Sequence, residues 1–333
     1  MGRPRLIDWL YQISPMSETT SIPVSASSSK SLKAHLLLLG VVCIWGSTFV
    51  LVKDALSDIS PLLFNLIRMA LASVCLGLVY RRHIGNINRR ALAAGAVVGF
   101  CLALGYQFQT AGLRLTTPSK SAFITGLVVV LVPLLLIIPR LRPPGTHPPR
   151  WNAYAGALLA FTGIVLLTTP ARGVFDFSSI NFGDLLSLGC AVGFSFHMLA
   201  LARFSPKVRF EQLAVLQVSF AAVFMAMSLP LLERPHLHWS ARVIVALLIA
   251  AVLATAAAFT IQSWAQQFLP ATHTALIFTL EPVFAWITSF LFLGERLNMR
   301  SSLGAILILG GIGVTELLPM AIQPTAHETA PLS

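Results

Sequence analysis

Charge is what this sequence has least of. Only 11% of its 333 residues are charged, and 12 of them are acidic, where soluble domains carry about a quarter. That density cannot coat a water-exposed surface, so a soluble globular fold is excluded. Strand-length segments of alternating hydrophobicity are absent, which excludes a membrane β-barrel. No GxxxxGK[ST] loop occurs, so this chain alone cannot drive transport with ATP. HExxH, GxSxG and close pairs of intramembrane carboxylates or histidines are missing, and no enzyme is expected. Cysteine is scarce: Cys43, Cys75, Cys101 and Cys190 lie singly within apolar runs, which suits neither a disulfide framework nor a zinc site. The first 33 residues are polar and Ser-rich and lack the apolar core of a signal peptide. Leu6, Trp9, Leu10 and Ile13 have the spacing of a short interfacial helix, a disordered tail is the alternative, and Met16 is a second candidate start.

What the chain has is apolar length. Hydrophobic residues make up 56% and mean hydropathy is +0.80. Runs near the ~20 residues needed to cross a bilayer recur at about 34–52, 60–80, 91–111, 121–139, 152–169, 182–202, 211–232, 243–268, 272–293 and 301–319. A bilayer leaves no backbone group unpaired, so these predict helices. The net charge of +11 would suggest nucleic acid in a soluble protein, but here the basic residues sit in short loops and report topology. With the N-terminus inside, 14 of the 23 Lys and Arg residues face the cytoplasm, among them Arg81, Arg82, Arg89, Arg90, Arg140 and Arg142, and eight face out. Both termini are therefore expected in the cytoplasm, with the chain in the plasma (inner) membrane.

The two halves repeat. Cys43–Phe49 (CIWGSTF) resembles Cys190–Phe196 (CAVGFSF) at an offset of 147; Pro133 pairs with Pro282 at 149, and Gly163 with Gly311 at 148. Five spans per copy is odd, so the second copy must be inverted. The expected fold is an all-α membrane protein of ten transmembrane helices arranged as two inverted five-helix repeats: a tail over 1–33, repeats over 34–169 and 182–319, a linker over 170–181 and a second tail over 320–333. Inverted repeats with a midplane site are the architecture of alternating-access carriers.

Several stretches carry a family likeness: Trp45-Gly46-Ser47-Thr48-Phe49 with Lys53 and Arg68; Tyr106–Leu113 leading into Ser121–Leu127 and Pro133; Leu280-Glu281-Pro282-Val283-Phe284-Ala285; Leu293-Gly294-Glu295-Arg296-Leu297; and Gly304–Ile308. Over about 34–319 the sequence resembles the EamA-type, ten-helix branch of the drug/metabolite transporter superfamily. The resemblance implies a carrier with cytoplasmic termini, often exporting metabolites, amino acids or toxic solutes. In one respect it departs: the four-helix relatives carry a substrate- and proton-binding glutamate in their first helix, and none lies between Ala34 and Val52.

Ionisable groups at membrane depth are costly and point to function. Glu281 precedes Pro282 where the first repeat has Val132; it either carries a proton, caps backbone groups freed by the proline, or pairs with a cation. Arg68, in the second span, either holds an anionic solute group, locks to a carboxylate or snorkels. His197 is a proton-transfer candidate, or a hydrogen-bonded packing residue. Trp45, Asn65, Gln107, Gln109, Gln262 and Trp264, with Gln266, are candidates for a cavity lining, against helix glue and interface belts. Ala91, Gly95, Gly99 and Ala103, and Gly310-Gly311-Ile312-Gly313, read as close-packing faces. The expected function is secondary transport of small metabolites, amino acids or drug-like solutes, with a channel or a scaffold as the rival. Expected partners are a solute and the lipid bilayer, with protons as the candidate coupling ion and a homodimer as a compatible assembly; no cofactor, metal or nucleic acid is expected.

Overall fold

The computed structural model describes residues 24–85, 87–142, 148, 150–168, 181–269, 274, 277, 278 and 280–321. Among these, every regular element is helical, apart from an isolated bridge between Ile59 and Leu237. The α-helices are α1 (Val24–Ala55), α2 (Pro61–Val79), α3 (Arg89–Leu115), α4 (Pro118–Thr125), α5 (Val128–Leu135), α6 (Trp151–Thr168), α7 (Phe182–Phe204), α8 (Phe210–Leu232), α9 (Ala241–Ala251), α10 (Ala258–Ala265), α11 (Glu281–Leu293) and α12 (Met299–Ala321).

Seven stretches of the described residues are long and apolar enough to cross a membrane: Lys30–Ala55, Pro61–Val79, Arg89–Leu115, Pro118–Leu135, Phe182–Phe204, Phe210–Leu232 and Ala241–Ala265. Three apolar helices are shorter, Tyr154–Gly163, Glu281–Leu293 and Met299–Gly311. The sequence reading differs from this in three places. Helix α1 starts at Val24, inside the stretch read as a polar tail. The fourth span breaks into α4 and α5 at Gly126-Leu127, where Leu127 N donates to Ile124 O (3.1 Å) and Val129 N to Gly126 O (3.2 Å), a tighter winding than α. The eighth is interrupted by a π-helical segment, Val252–Ala257, between α9 and α10. The 1–23 tail, the 170–180 linker and the residues after 321 lie outside the described residues.

Local chemistry fixes the helix starts. Asn88 accepts from Ala91 N (2.8 Å) at the head of α3. Asn181 and Asp184 form a capping box on α7, and Ser240 caps α9. Helix α2 starts with Pro61, and its free N–H groups at Leu62 and Leu63 donate to the Glu233 carboxylate at 3.1 and 3.2 Å, across from the end of α8. At the same end, the Ser240 hydroxyl donates to Asp58 (2.6 Å) and holds that carboxyl below its ordinary range.

Helix α6 pairs with α12, α3 packs between α7 and α8, α1 lies against α11, and α2 lies against α8. The α6–α12 approach is backbone to backbone: a Cβ on Gly163 would stand 2.5 Å from Gly304 O, and one on Gly311 2.5 Å from Gly156 O. On α3, a Cβ at Gly99 would meet Gln217 O of α8 at 2.6 Å, so the small-residue face is a contact face. At one end of the bundle Lys30 and Lys33 stand over the rings of Phe268 and Trp264, 5.6 and 5.8 Å from the centroids.

Candidate functional site

A cavity with about 780 Å³ of empty space, its opening included, lies between the helices. Trp45, Thr48, Phe49 and Val52 of α1, Arg68 of α2, and Tyr106, Gln109 and Thr110 of α3 line one part. Val128 and Val129 of α5, Phe194 and His197 of α7, Phe259 and Gln262 of α10, Phe278 and Glu281 line the rest. Toward the Lys30 end, Leu38, Val42, Leu127, Val130 and Leu269 form a packed apolar cluster.

Trp45 is the centre of an aromatic wall. Its ring meets Phe278 edge-on at 5.0 Å and Phe259 at 5.6 Å, and Tyr106 meets Phe194 at 5.1 Å. The neighbouring Gly46 lets α1 reach α11: a Cβ there would sit 2.6 Å from Phe284 Cβ and 2.7 Å from Glu281 O.

The π-helical segment organises the buried cation. Winding by i→i+5 re-aims carbonyls out of the α ladder, and such segments recur at functional sites. Ala254 O accepts from both Trp45 Nε1 (2.8 Å) and Arg68 Nη2 (3.2 Å). Arg68 Nε donates to Thr255 Oγ1 (2.7 Å), Nη2 also donates to the Tyr106 hydroxyl (3.0 Å), and the guanidinium covers the Tyr106 ring at 4.2 Å. With 4% of its surface exposed, Arg68 forms no ion pair among the described residues. No carboxylate among the described residues locks it; hydroxyls, a carbonyl and a ring surround it.

His197 Nε2 lies 2.9 Å from Gln217 Oε1, and Gln217 Nε2 donates to Ser263 Oγ at 2.9 Å. Which of the two atoms donates is set by the His197 tautomer and the Gln217 amide orientation, and Ser263 Oγ can serve either. Gln262 is 1% exposed and joins its own helix through Nε2 to Gln266 Oε1 (3.3 Å); Gln262 Oε1 has no partner among the described residues.

Glu281 sits differently from the sequence expectation. It is not ten residues into a continuous helix: Leu280 is a turn and Glu281 opens α11. Pro282 therefore occupies the first turn of α11, where no intrahelical N–H bond is lost. Its carboxylate makes no hydrogen bond or ion pair with a described residue.

Four candidates stand outside the lining, Gln266 among them. Asn65 bridges α2 and α3, donating to Tyr106 O (2.8 Å) and accepting from Thr110 Oγ1 (3.0 Å). Gln107 donates to Ser228 Oγ (3.2 Å) on α8. Trp264 packs on Phe268 (5.2 Å) under Lys33. The cavity thus brings together Trp45, Arg68, Gln109, His197, Gln262 and Glu281. Tyr106 and Thr255, which seat Arg68, were passed over; the visible signal for Thr255 was a lone hydroxyl in the alanine-rich run 250–258.

The far end of the bundle is polar. Lys53 Nζ donates to Leu113 O, Arg114 O and Thr116 O at 2.8–2.9 Å, closing the C-terminus of α3. Lys120 pairs with Asp184 (2.9 Å), which also accepts from Thr116 Oγ1 (2.8 Å). Glu295 accepts from Ser119 Oγ (2.9 Å) and from Ser289 Oγ.

Comparison with known proteins agrees with this architecture. An uncharacterized transporter of Archaeoglobus fulgidus is 33% identical over 301 residues, 88% of each chain. The uncharacterized transporter YoaV of Bacillus subtilis is 24% identical over 84% of this chain and 96% of its own. A protein of known crystal structure, 19% identical, superposes with a TM-score of 0.63 over 86% of this chain and 98% of that one, which shows the shared fold. Residues 32–169 and 181–316 each match the EamA-like transporter family. The protein is therefore an integral, multi-pass membrane protein and belongs to the EamA-like transporter family.

Proposed function

We propose that the chain is a secondary transporter that exports a small solute through the cavity around Trp45 and Glu281 by alternating access. The observation that carries this is the cavity itself, an aromatic chamber at mid-helix depth, walled by helices of both halves and holding a carboxylate with no described partner. A channel would need a continuous path, whereas here packed Leu38, Val42 and Leu127 lie on the Lys30 side.

The repeat supports a two-state carrier. We read ten spans, with repeats over 34–169 and 182–319, related by a pseudo-two-fold axis in the membrane plane. Under exchange of the halves, α1 against α11 maps onto α7 against α4 and α5, and α3 against α7 onto α9 and α10 against α1; both members of each pair are present. The Gly163–Gly304 and Gly311–Gly156 approaches are likewise images of each other. An experimental structure whose halves superposed only in parallel would reject the reading. Both termini are placed in the cytoplasm, so a cysteine at either end of a Cys-free variant should react only in permeabilised cells.

Glu281 is the proposed proton carrier. Reconstitution into liposomes with a panel of amines, amino acids and metabolites, with and without a proton gradient, tests the whole proposal. Accumulation that needs the gradient, with Glu281→Gln retaining only solute-for-solute exchange, is the expected result. Absence of any protein-dependent flux across the panel would favour a scaffold.

A further inference from the structure

We infer that the solute is bound through a protonated amine, with Glu281 as its counter-ion and the Trp45, Phe259 and Phe278 rings enclosing its apolar part. This rests on the reading that the cavity is the solute site.

Among the described residues, Arg68 is the one Lys or Arg lining the cavity. It is almost wholly buried, stacked on Tyr106, and donates to Thr255, Tyr106 and Ala254. Its Nε and Nη2 are held by the scaffold, while Nη1 bonds to no described residue. His197 Nε2 is engaged with Gln217, which is tied in turn to Ser263. Trp45 has given its N–H to Ala254 O. Trp45 Nε1, Arg68 Nε and Arg68 Nη2 are therefore already engaged.

Glu281 and Gln262 keep atoms that no described residue engages. Glu281 is partly exposed to the cavity and its carboxylate bonds to no described residue. Gln262, 1% exposed, keeps one amide atom without a partner. As placed, the free atom is the acceptor Oε1; turning both the Gln262 and Gln266 amides over would free the donor Nε2 instead. A buried amide atom without a partner is costly, and a ligand in the cavity would supply the missing bond. Aromatic faces attract cations and repel anions through the ring quadrupole. Carboxylate, free amide and ring faces together describe a receptor for an ammonium group on an apolar body.

The test uses three probes sharing one phenyl ring: phenethylamine (cation), phenylalanine (zwitterion) and 3-phenylpropionate (anion). Binding to the purified full chain in detergent is measured by titration calorimetry at pH 7, and liposome counterflow is measured separately. The amine should bind and the acid should not. Glu281→Gln should weaken amine binding at least about tenfold, Glu281→Asp should keep much of it, and Trp45→Leu should weaken it several-fold. Equal or tighter binding of phenylalanine would overturn the inference, because a solute carboxylate would then be using Arg68. Amine affinity unchanged in folded Glu281→Gln would overturn it too. Counterflow of a non-amine with no amine binding would overturn it while leaving the transporter reading intact; amine binding that needs Glu281 supports it whether or not flux follows.

Discussion

Replacing Arg68 with Met separates a scaffold cation from a solute-binding one. The side chain donates three hydrogen bonds, to Thr255 Oγ1 (2.7 Å), Tyr106 OH (3.0 Å) and Ala254 O (3.2 Å). Two of the acceptors keep a second partner in the variant: Thr255 Oγ1 still donates to Ala250 O (2.7 Å) and Ala254 O still accepts from Trp45 Nε1 (2.8 Å). Only the Tyr106 hydroxyl loses its described partner, at a cost of about 1–3 kcal/mol for a buried group. Loss of the cation–π contact adds about 1 kcal/mol, and release from burying a guanidinium offsets part of both. The net expectation is about 1–3 kcal/mol, a fall in the apparent unfolding midpoint of about 2–6 °C for a chain of this size. Adding Tyr106→Phe removes the orphan, so Arg68→Met with Tyr106→Phe should be at least about 1 kcal/mol more stable than the sum of the single changes. Thermal unfolding in detergent, followed by tryptophan emission, reads all four members of the cycle. Additivity within about 0.5 kcal/mol would refute the reasoning. So would an Arg68→Met protein of wild-type stability that had lost transport, for then the guanidinium would serve the solute.

Glu281→Gln and Glu281→Ala should both unfold within about 0.5 kcal/mol of wild type, since neither breaks a described bond; a large loss in the alanine variant alone would restore the backbone-capping role. Gly46→Val places a Cβ 2.6 Å from Phe284 Cβ and 2.9 Å from Ala285 N, so α1 and α11 must part; about 1–3 kcal/mol of destabilisation and a sharp loss of flux are expected, and full activity would sink the claim of tight contact. Lys120→Met strands Asp184, whose side chain is 2% exposed, and should lower stability by about 1–3 kcal/mol, with Asp184→Asn in the same background recovering part of it. Asp58 titrates below its unfolded value because Ser240 donates to its carboxylate; that contribution is present above the unfolded pKa of about 4 and is lost as pH falls through the lower folded value. The stability gap between wild type and Ser240→Ala should therefore narrow on acidification below about pH 4, and a gap that widened there would contradict the assignment.

The sequence alone determined the class of solvent and most of the helices. Apolar runs of bilayer length with so few charges leave no alternative to helices in lipid, because each unpaired backbone group there costs several kcal/mol. The 148-residue offset between Gly163 and Gly311 marked the repeat, and the structure brought these glycines against Gly304 and Gly156 where α6 meets α12. Tertiary structure decided where the runs break and which polar residues face one another. Hydropathy cannot see a π-helical turn at Val252–Ala257, nor that Pro282 stands at the start of α11 rather than within it; both depend on the carbonyls and N–H groups that neighbouring helices supply. The amides at Asn65 and Gln107 looked in sequence like those at Gln109 and Gln262, because polarity does not encode azimuth about a helix axis. Packing turned the first two toward α3 and α8 and left the latter pair on the cavity wall. Arg68 and Glu281, natural partners by charge, line the same chamber without touching: a hydroxyl, a ring and a re-aimed carbonyl satisfy the cation first.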